Sequence, residues 1–299
     1  MRIDELLASH DRPLFSFEFF PPKTPEGETN LLRALGELEA LQPDYVSVTY
    51  GAGGTTREKT IEIVSRLRDD FGLEAMAHFT CVNATTAELR ATLDHMRDAG
   101  VENVLALRGD PPHGQERWAK TEGGLEHSRE LIDLIREEYP QFAIGGAAFP
   151  ETHIHATSPE DDLRYLSEKV DAGARFLITQ LFFDNAHYFD FVARARDAGI
   201  DVPIVPGVMP ITSFEGVKRM TTLSAAELPA GLEHELEVRK QDPEAVAELG
   251  VSYATLQCAD LLARGAPGIH FITLNRSPAT RAILSALRLM QPWRAAARI

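Results

Sequence analysis

The sequence has few cysteines, no cluster of basic residues and no long apolar run, and each absence narrows the possible functions. Its two cysteines, Cys81 and Cys258, stand far apart, so it contains neither a CxxC redox pair nor a zinc knuckle. The chain carries 30 Lys and Arg against 45 Asp and Glu, for a formal net charge of −15. Nucleic acid and anionic membranes require a positive surface, so neither is expected as a partner.

From the sequence we expect neither a secretion signal nor a membrane anchor. Asp4 and Glu5 stand where a signal peptide needs an apolar stretch, and no run of about 18 apolar residues occurs. We therefore expect a cytoplasmic protein. The 299 residues, 44% hydrophobic and 25% charged, have an ordinary globular composition and can build one large barrel or two smaller domains.

Eight short runs rich in apolar, β-branched or aromatic residues alternate with helical patterns. Successive runs begin 26 to 39 residues apart, a length that one strand and one crossover helix fill, until a last interval of 67. The runs are Leu14–Phe19, Tyr45–Tyr50, Ala75–Cys81, Asn103–Leu107, Phe142–Ala148, Phe176–Leu181, Val202–Val205 and Ile269–Leu274. This alternation favours an α/β fold, a (β/α)8 TIM barrel, over an open doubly wound sheet.

The long last interval predicts extra helices between strands seven and eight, in the segment from Ser224 to Ala263. Because no Pro/Ser-rich linker interrupts the chain, we expect residues 1–299 to form a single domain.

Helix boundaries are marked by residues that satisfy free backbone groups. Helix starts are predicted at Thr24-Pro25, at Ser158-Pro159, and at the capping boxes Thr55 with Glu58 and Thr85 with Glu88. Helix ends are predicted at Gly100, Gly173, Gly199 and Gly265, where glycine suits a left-handed cap.

Glu18 lies between Phe17 and Phe19 at the end of the first predicted strand. In a barrel, reactive groups gather at the C-terminal ends of the strands. A carboxyl among aromatic rings should have a raised pKa and could act as a general acid. The alternative is a structural ion pair with an arginine from a neighbouring strand.

Two further strand ends allow both a ligand site and a plain structural interpretation. Arg108-Gly109-Asp110 offers a cation, a flexible glycine and an anion, but an Arg–Asp salt bridge fits equally well. Gly51-Ala52-Gly53-Gly54 suits an anion at a helix N-terminus, and a simple turn fits as well. It matches neither GxGxxG nor the P-loop pattern.

A metal site and a Schiff-base site both have weak support in the sequence. Glu151-x-His153-x-His155 contains ligand types, but this spacing is unlike a zinc helix, so no metal is expected. Asp162 and Lys169 stand seven residues apart on a predicted helix, and this spacing alone indicates a solvated helix face. No lysine ends a predicted strand, which disfavours a Schiff-base aldolase.

Taken together, the strand-end motifs resemble those of bacterial-type 5,10-methylenetetrahydrofolate reductases, from about residue 12 to about residue 290. The motifs are Phe17-Glu18-Phe19-Phe20-Pro21-Pro22, Val48-Thr49-Tyr50-Gly51-Ala52, Ala106-Leu107-Arg108-Gly109-Asp110, Pro150-Glu151-x-His153, Ile178-Thr179-Gln180-Leu181-Phe182-Phe183-Asp184 and Phe271-x-Thr273-Leu274-Asn275. The resemblance implies FAD as cofactor, NAD(P)H as hydride donor, a folate substrate and a role in supplying methyl groups for methionine synthesis.

The resemblance also assigns roles to positions. Glu18 would be the general acid that protonates folate N10, and Asp110 would bind the pterin and tune hydride transfer from the flavin. The other positions that match substrate contacts are Thr49, Gln180 and Arg276. The positions that match FAD contacts are Tyr50, Ala52, His78, Arg108, Gly109, Asp110, Phe149, His153, Ala156, Asp162 and Lys169.

Some positions depart from the family pattern. Phe149 replaces a common tyrosine, His127-Ser128 replaces a Tyr-Ala pair, Glu168 stands where some members have arginine, and Met220 where some have a stacking ring. We expect these changes to weaken FAD retention without changing the reaction. The alternatives are another barrel flavoenzyme such as a proline dehydrogenase, or a flavin- or folate-binding protein without turnover. A homo-oligomer is compatible with the sequence.

Overall fold

The computed structural model describes residues 1–22, 24–50, 57–110 and 120–296 of the chain. The strands are β1 (Leu14–Phe19), β2 (Tyr45–Val48), β3 (Ala75–Thr80), β4 (Asn103–Leu107), β5 (Ala143–Ala148), β6 (Phe176–Thr179), β7 (Ile204–Val205), β8 (Gly207–Val208) and β9 (Gly268–Ile272).

Helices precede, separate and follow the strands. They are α1 (Ile3–Ser9), α2 (Pro25–Glu39), α3 (Arg57–Phe71), α4 (Thr86–Asp98), α5 (Ser128–Glu138), α6 (Pro159–Ala172), α7 (Asn185–Asp197), α8 (Phe214–Ser224), α9 (Ala230–Val238), α10 (Pro243–Ala263), α11 (Pro278–Met290) and α12 (Trp293–Ala296). None of the helices in the described part of the chain combines the length and the apolar character needed to cross a membrane.

All strand pairings are parallel, in the order β7-β6-β5-β4-β3-β2-β1-β9-β8. The predicted seventh strand, Val202–Val205, begins later than expected and continues as β8 beyond Pro206. Proline has no N–H to donate, so the strand divides there. The Pro206 carbonyl still accepts a bond from the His270 amide at 2.9 Å. Because β7 pairs with β6 and β8 with β9, the two segments fill the seventh position of an eight-strand α/β barrel, which confirms the predicted fold.

Side-chain alternation along β1 separates two cores. Phe15, Phe17 and Phe19 pack outward with the helices in the main hydrophobic cluster. Ser16 and Glu18 face the barrel interior, whose lower part holds a second cluster with Tyr45, Met76, Leu105, Phe176, Ile178 and Val205. Helix α1, which the sequence patterns did not predict, places Ile3 in this cluster, and the Ile3 amide donates to Asn103 Oδ1 at 2.8 Å.

The described helix boundaries agree with the capping residues in the sequence. The hydroxyls of Thr24 and Ser158 accept backbone N–H groups, and Thr85 with Glu88 forms a capping box. The four predicted terminal glycines all have positive φ, between 73° at Gly100 and 135° at Gly173. Thr55 of the other predicted capping box lies outside the described residues.

Three helices, α8, α9 and α10, lie between β8 and β9. Helices α9 and α10 fall in the segment from Ser224 to Ala263 where extra helices were predicted, whereas α8 ends where that segment begins. Val217, Leu232 and Val246 from these helices pack with strand-end residues such as Leu181 and Ile272 in a third hydrophobic cluster. The insertion therefore covers part of the barrel end where the strands terminate.

Gly145 on β5 lets the Phe176 ring fill the barrel interior. A Cβ at this position would lie 2.6 Å from that ring. Gly145→Ala should therefore lower the free energy of unfolding by about 1 to 3 kcal/mol, as overpacked cores do. Gly36→Ala in α2, with no neighbour within 4 Å, should instead raise it by up to about 1 kcal/mol.

Urea unfolding measures both changes. The double variant Gly145→Ala with Phe176→Leu should recover part of the loss, because the smaller side chain vacates the space. Equal stability of the Gly145 and Gly36 variants would contradict this packing.

Candidate active site

Glu18 is the centre of a polar cluster inside the barrel. Its Oε2 lies 3.4 Å from His78 Nε2 on β3 and 3.4 Å from His270 Nε2 on β9. The three side chains are 12%, 8% and 1% exposed. They come from non-consecutive strands, and closure of the barrel brings them together. Among the described residues, the side chains that contact the Glu18 carboxyl are these two imidazoles. The alternative of an ion pair with an arginine from a neighbouring strand is therefore wrong.

His270 is held on several sides. Ser16 Oγ lies 2.7 Å from its Nδ1 and Ser47 Oγ lies 3.5 Å from its Nε2. The Tyr45 ring stacks on it with centroids 6.3 Å apart and planes 17° apart. No sequence motif marks His270 as a site residue. The feature that could have identified it is a histidine at an inward-facing position of β9, between the apolar residues Ile269 and Phe271.

The expected rise in the pKa of Glu18 is wrong. Burial does raise it, but the hydrogen bond from His270 and the charge interactions with His78 and His270 outweigh burial and hold this pKa below its usual range. Burial lowers the pKa of His78 to about 4, against the smaller raising effect of Glu18. His78 is therefore neutral at pH 7, and Glu18 is ionised when nothing is bound.

The ends of β1 and β9 are tied together beside Glu18. Thr273 Oγ1 donates to the Glu18 carbonyl at 2.6 Å. The Asn275 side chain both accepts from the Phe20 amide and donates to the Phe20 carbonyl, each at 2.8 Å. Leu274 and Asn275 have φ of 52° and 57°, in the left-handed region that costs free energy for such residues. Arg276 follows them and is exposed at the strand end.

Arg108, Gly109 and Asp110 follow β4, which β2 and β3 separate from β1. The Arg108 carbonyl accepts from the Val82 amide at 3.0 Å. Gly109 has φ of 90°, and a Cβ there would lie 2.6 Å from Val82 Cγ1, so the turn requires glycine. Asp110 is exposed. No ion pair between Arg108 and Asp110 occurs in the described residues, which disfavours the salt-bridge alternative.

A second polar group lies after β5 and on α6. The His153 amide donates to Asp162 Oδ2 at 3.0 Å, and the Phe149 and His153 rings make an edge contact at 4.5 Å. Lys169 Nζ donates to the Ala147 carbonyl at 2.6 Å. Asp162 and Lys169 are half-buried, so the prediction of a solvated helix face, made from their spacing, is wrong.

The electrostatics of this group follow from burial. Burial lowers the pKa of Lys169 to about 8 and raises the pKa of Asp162. Burial and the nearby charges of Arg108, His155 and Lys169 lower the pKa of His153 to about 4. Arg108 and Lys169 thus add positive charge around His153, beside the carboxyl of Asp162.

The remaining predicted site residues lie at or near strand ends. Tyr50 is buried with its ring edge-on to Phe79 at 5.9 Å. The Thr49 amide donates to the Phe19 carbonyl at 2.8 Å, and the Ala156 amide donates to the His153 carbonyl at 2.8 Å. Gln180 Oε1 accepts from the Leu181 amide at 2.9 Å. Ala52 and the rest of the Gly51–Gly54 motif lie outside the described residues.

The positions that depart from the family pattern have ordinary contacts. His127 stacks on Tyr165 with centroids 6.3 Å apart, and Ser128 is the first residue of α5. Glu168 accepts from Arg164 at 2.9 Å. Met220 packs against the third hydrophobic cluster, which joins the helices α8, α9 and α10 to the strand ends.

One group of side chains could hold a metal ion among the described residues. Ligand atoms of Glu151, His187 and Glu227 lie within 4.8 Å of one another, whereas His155 is not part of the group. Glu151 Oε2 accepts from the Glu227 amide at 2.7 Å, and burial raises the pKa of Glu151. No sequence motif links His187 or Glu227 to Glu151, so the sequence does not predict this group.

The fold and the site define a parallel β/α-barrel protein whose ionisable side chains gather where the strands end. The chain belongs to the methylenetetrahydrofolate reductase family, whose model matches residues 2–288. This membership confirms the resemblance inferred from the strand-end motifs.

Named relatives and a solved structure agree with this assignment. A methylenetetrahydrofolate reductase (NADH) of Arabidopsis thaliana is 41% identical over 95% of this chain and 51% of its own length. The 5,10-methylenetetrahydrofolate reductase of Escherichia coli is 39% identical over 91% of this chain and 90% of its own. The chain thus spans about half the length of its plant relatives. An uncharacterized Clostridium thermocellum protein that binds 5-methyl-5,6,7,8-tetrahydrofolic acid shares the fold, with a TM-score of 0.64, 15% identity and coverage of 96% and 98%.

The lowered pKa of His78 makes stability depend on pH. The unfolded chain takes up the proton near pH 6.5 and the folded chain only near pH 4. Acidification between these values therefore favours the unfolded state, by up to about 3 kcal/mol. His78→Gln should reduce this slope, whereas His95→Gln, at an exposed position on α4, should not. Urea unfolding from pH 8 to pH 5 measures the difference, and identical slopes for the wild type and His78→Gln would contradict the assignment.

Proposed function

We propose that this chain is a flavin-dependent reductase that converts 5,10-methylenetetrahydrofolate to 5-methyltetrahydrofolate with NAD(P)H as hydride donor. Membership in the family supports the reaction. The observation that carries the proposal is Glu18, a carboxyl held inside the barrel end by two imidazoles and still 12% exposed. The names of plant relatives support NADH as the donor to test first.

The residues around β3, β4 and α6 fit a bound FAD. His78 Nε2 and Thr80 Oγ1 are buried without a hydrogen-bond partner among the described residues, so they can bond a polar ring. Arg108 and Lys169 supply positive charge that suits a pyrophosphate. Tyr50, Gly109, Phe149, His153, Ala156 and Asp162 complete the proposed flavin contacts, together with Ala52 outside the described residues.

A bound flavin supplies hydride transfer from the nicotinamide to the folate carbon. The chain's own contribution is to place the substrate and to supply a proton. Glu18 gives its proton to folate N10, and the bond between N10 and the one-carbon unit breaks. Asp110 binds the pterin, Thr49 and Gln180 contact the ring that occupies the site, and exposed Arg276 offers a cation for the glutamate tail.

The low pKa of Glu18 sets a condition on this role. At neutral pH the unliganded carboxyl is ionised, so the site must take up a proton before it can donate one. A bound pterin removes water from the carboxylate and raises its pKa, which favours that uptake. The overall reaction consumes one proton for each folate reduced, so the requirement matches the balance of the reaction.

Glu18→Gln separates the two half-reactions. Loss of the general acid should slow folate reduction by about 100-fold or more, while reduction of the flavin by NADH changes little. Anaerobic stopped-flow absorbance measures both, first as bleaching by NADH and then as recolouring by methylenetetrahydrofolate. Glu26→Gln, at an exposed position of α2, is the matched control and should leave both rates unchanged.

Equal loss of both half-reactions in Glu18→Gln would contradict the role of Glu18. Purified protein without a flavin absorbance band that added FAD cannot restore would contradict the flavin. Oxidation of proline without any response to folate would favour the alternative barrel dehydrogenase.

Lys169→Met should weaken FAD binding about tenfold or more, because a half-buried ammonium that meets a phosphate contributes a strong, charge-assisted contact. Its pKa of about 8 adds a pH signature. The ammonium loses its proton as the pH rises through 8, so FAD affinity should fall between pH 7 and pH 9 in the wild type and less in the variant.

Flavin fluorescence quenching during titration with FAD measures these affinities. Lys59→Met on α3, where the lysine pairs with Glu28 and Glu62, is the control and should bind FAD like the wild type. An unchanged affinity in Lys169→Met would remove Lys169 from the proposed flavin site.

A further inference from the structure

The two oxygens of the Glu18 carboxyl have different surroundings. Oε2 faces both imidazoles at 3.4 Å. Within the described residues Oε1 makes no hydrogen bond, and the side chain retains 12% exposure. One oxygen is therefore anchored to the protein, and the other is available to a ligand at the barrel end.

The two imidazoles differ as well, although both lie at the same distance. His270 Nε2 makes a hydrogen bond to Oε2, whereas His78 Nε2 has no hydrogen-bond partner among the described residues. His270 is 1% exposed, stacks on Tyr45 and meets Ser16 Oγ at 2.7 Å. The contacts with Ser16 and Tyr45 thus fix the orientation of the His270 imidazole.

A single arrangement of protons satisfies this chain of contacts with a neutral His270. The Ser16 hydroxyl donates to Nδ1, and Nε2–H donates to the Glu18 carboxylate. The ionisable groups that face Glu18 are His78 from β3 and His270 from β9. From β2, neutral Ser47 and Tyr45 face His270, and burial keeps Tyr45 protonated by raising its pKa to about 12.

We propose that Ser16 and His270 form a buried support that fixes Oε2 of Glu18, so that Oε1 is the oxygen that passes the proton to the substrate. His270 is a positioning residue in this proposal, because it acts through Glu18. The assignment of the proton to a folate nitrogen rests on the proposed function, whereas the support itself does not.

The step balances without a further reactant. The Oε1–H bond breaks, the N10–H bond forms, and the electron pair of the broken bond stays on the carboxylate. The hydrogen bond from His270 Nε2 stabilises this new charge at Oε2, which makes Glu18 a stronger acid. The proton lost in each turnover returns from solvent through the exposed part of the side chain.

The test compares His270→Phe with His270→Gln in the flavin-loaded protein. Phenylalanine keeps a ring against Tyr45 but removes the N–H donor, and glutamine restores a donor near the Nε2 position. The first readout is the titration midpoint of Glu18, followed by NMR of 13C-labelled glutamate side chains and assigned with Glu18→Gln. The second is the pH profile of the folate half-reaction.

His270→Phe should raise the Glu18 midpoint by about one pH unit, a tenfold change in its acid dissociation constant, as expected for loss of one hydrogen bond to a carboxylate. The pH at which folate reduction declines should rise with it. His270→Gln should lie closer to the wild type. Ser16→Ala keeps the imidazole and should shift the midpoint in the same direction by less.

An unchanged midpoint in both His270→Phe and Ser16→Ala would overturn the proposal. So would a purely structural effect, in which both half-reactions fall equally and the pH profile keeps its position. If the midpoint shifts but the wild type does not reduce methylenetetrahydrofolate, the support stands and the proposed function fails.

Discussion

The hydrogen bond between His270 and Glu18 is the interaction on which the candidate site depends. A carboxylate inside a barrel is costly unless a donor compensates for the lost water. Here Nε2 of His270 supplies that donor at 3.4 Å from Oε2. The compensation is large enough to hold the pKa of Glu18 below its usual range, so the carboxylate survives burial as an ion.

That interaction requires a closed barrel. His270 belongs to β9, which pairs with β1 on one side and with the two-residue strand β8 on the other. Pro206 separates β7 from β8 along the chain. Its carbonyl still accepts a hydrogen bond from the His270 amide at 2.9 Å. The break between β7 and β8 therefore lies beside the backbone of the residue that bonds Glu18, so the hydrogen bonds that close the barrel also position His270.

Local signals in the sequence predicted most of the fold. Thr85 with Glu88 and the glycines at positions 100, 173, 199 and 265 act through neighbours a few residues away, so their structures follow from the local sequence. The pKa of Glu18 could not be predicted in this way. Its partner His270 lies 252 residues further along the chain. The neighbouring rings of Phe17 and Phe19 point outward to the helices, so they do not surround the carboxyl.

The two sides of the barrel end differ in the charged groups that they carry. On the side of β9, β1 and β3 the ionised Glu18 lies between imidazoles, one of them with a pKa of about 4. On the side of β4, β5 and α6, Arg108 and Lys169 surround His153 and lower its pKa to about 4 as well. Because the chain has a net charge of −15, two cations gathered at one place offer a phosphate a more favourable approach than most of the surface does. In the function that we propose, a ligand with a phosphate at one end and a reactive ring at the other would place its phosphate beside these cations and its ring toward the carboxyl of Glu18.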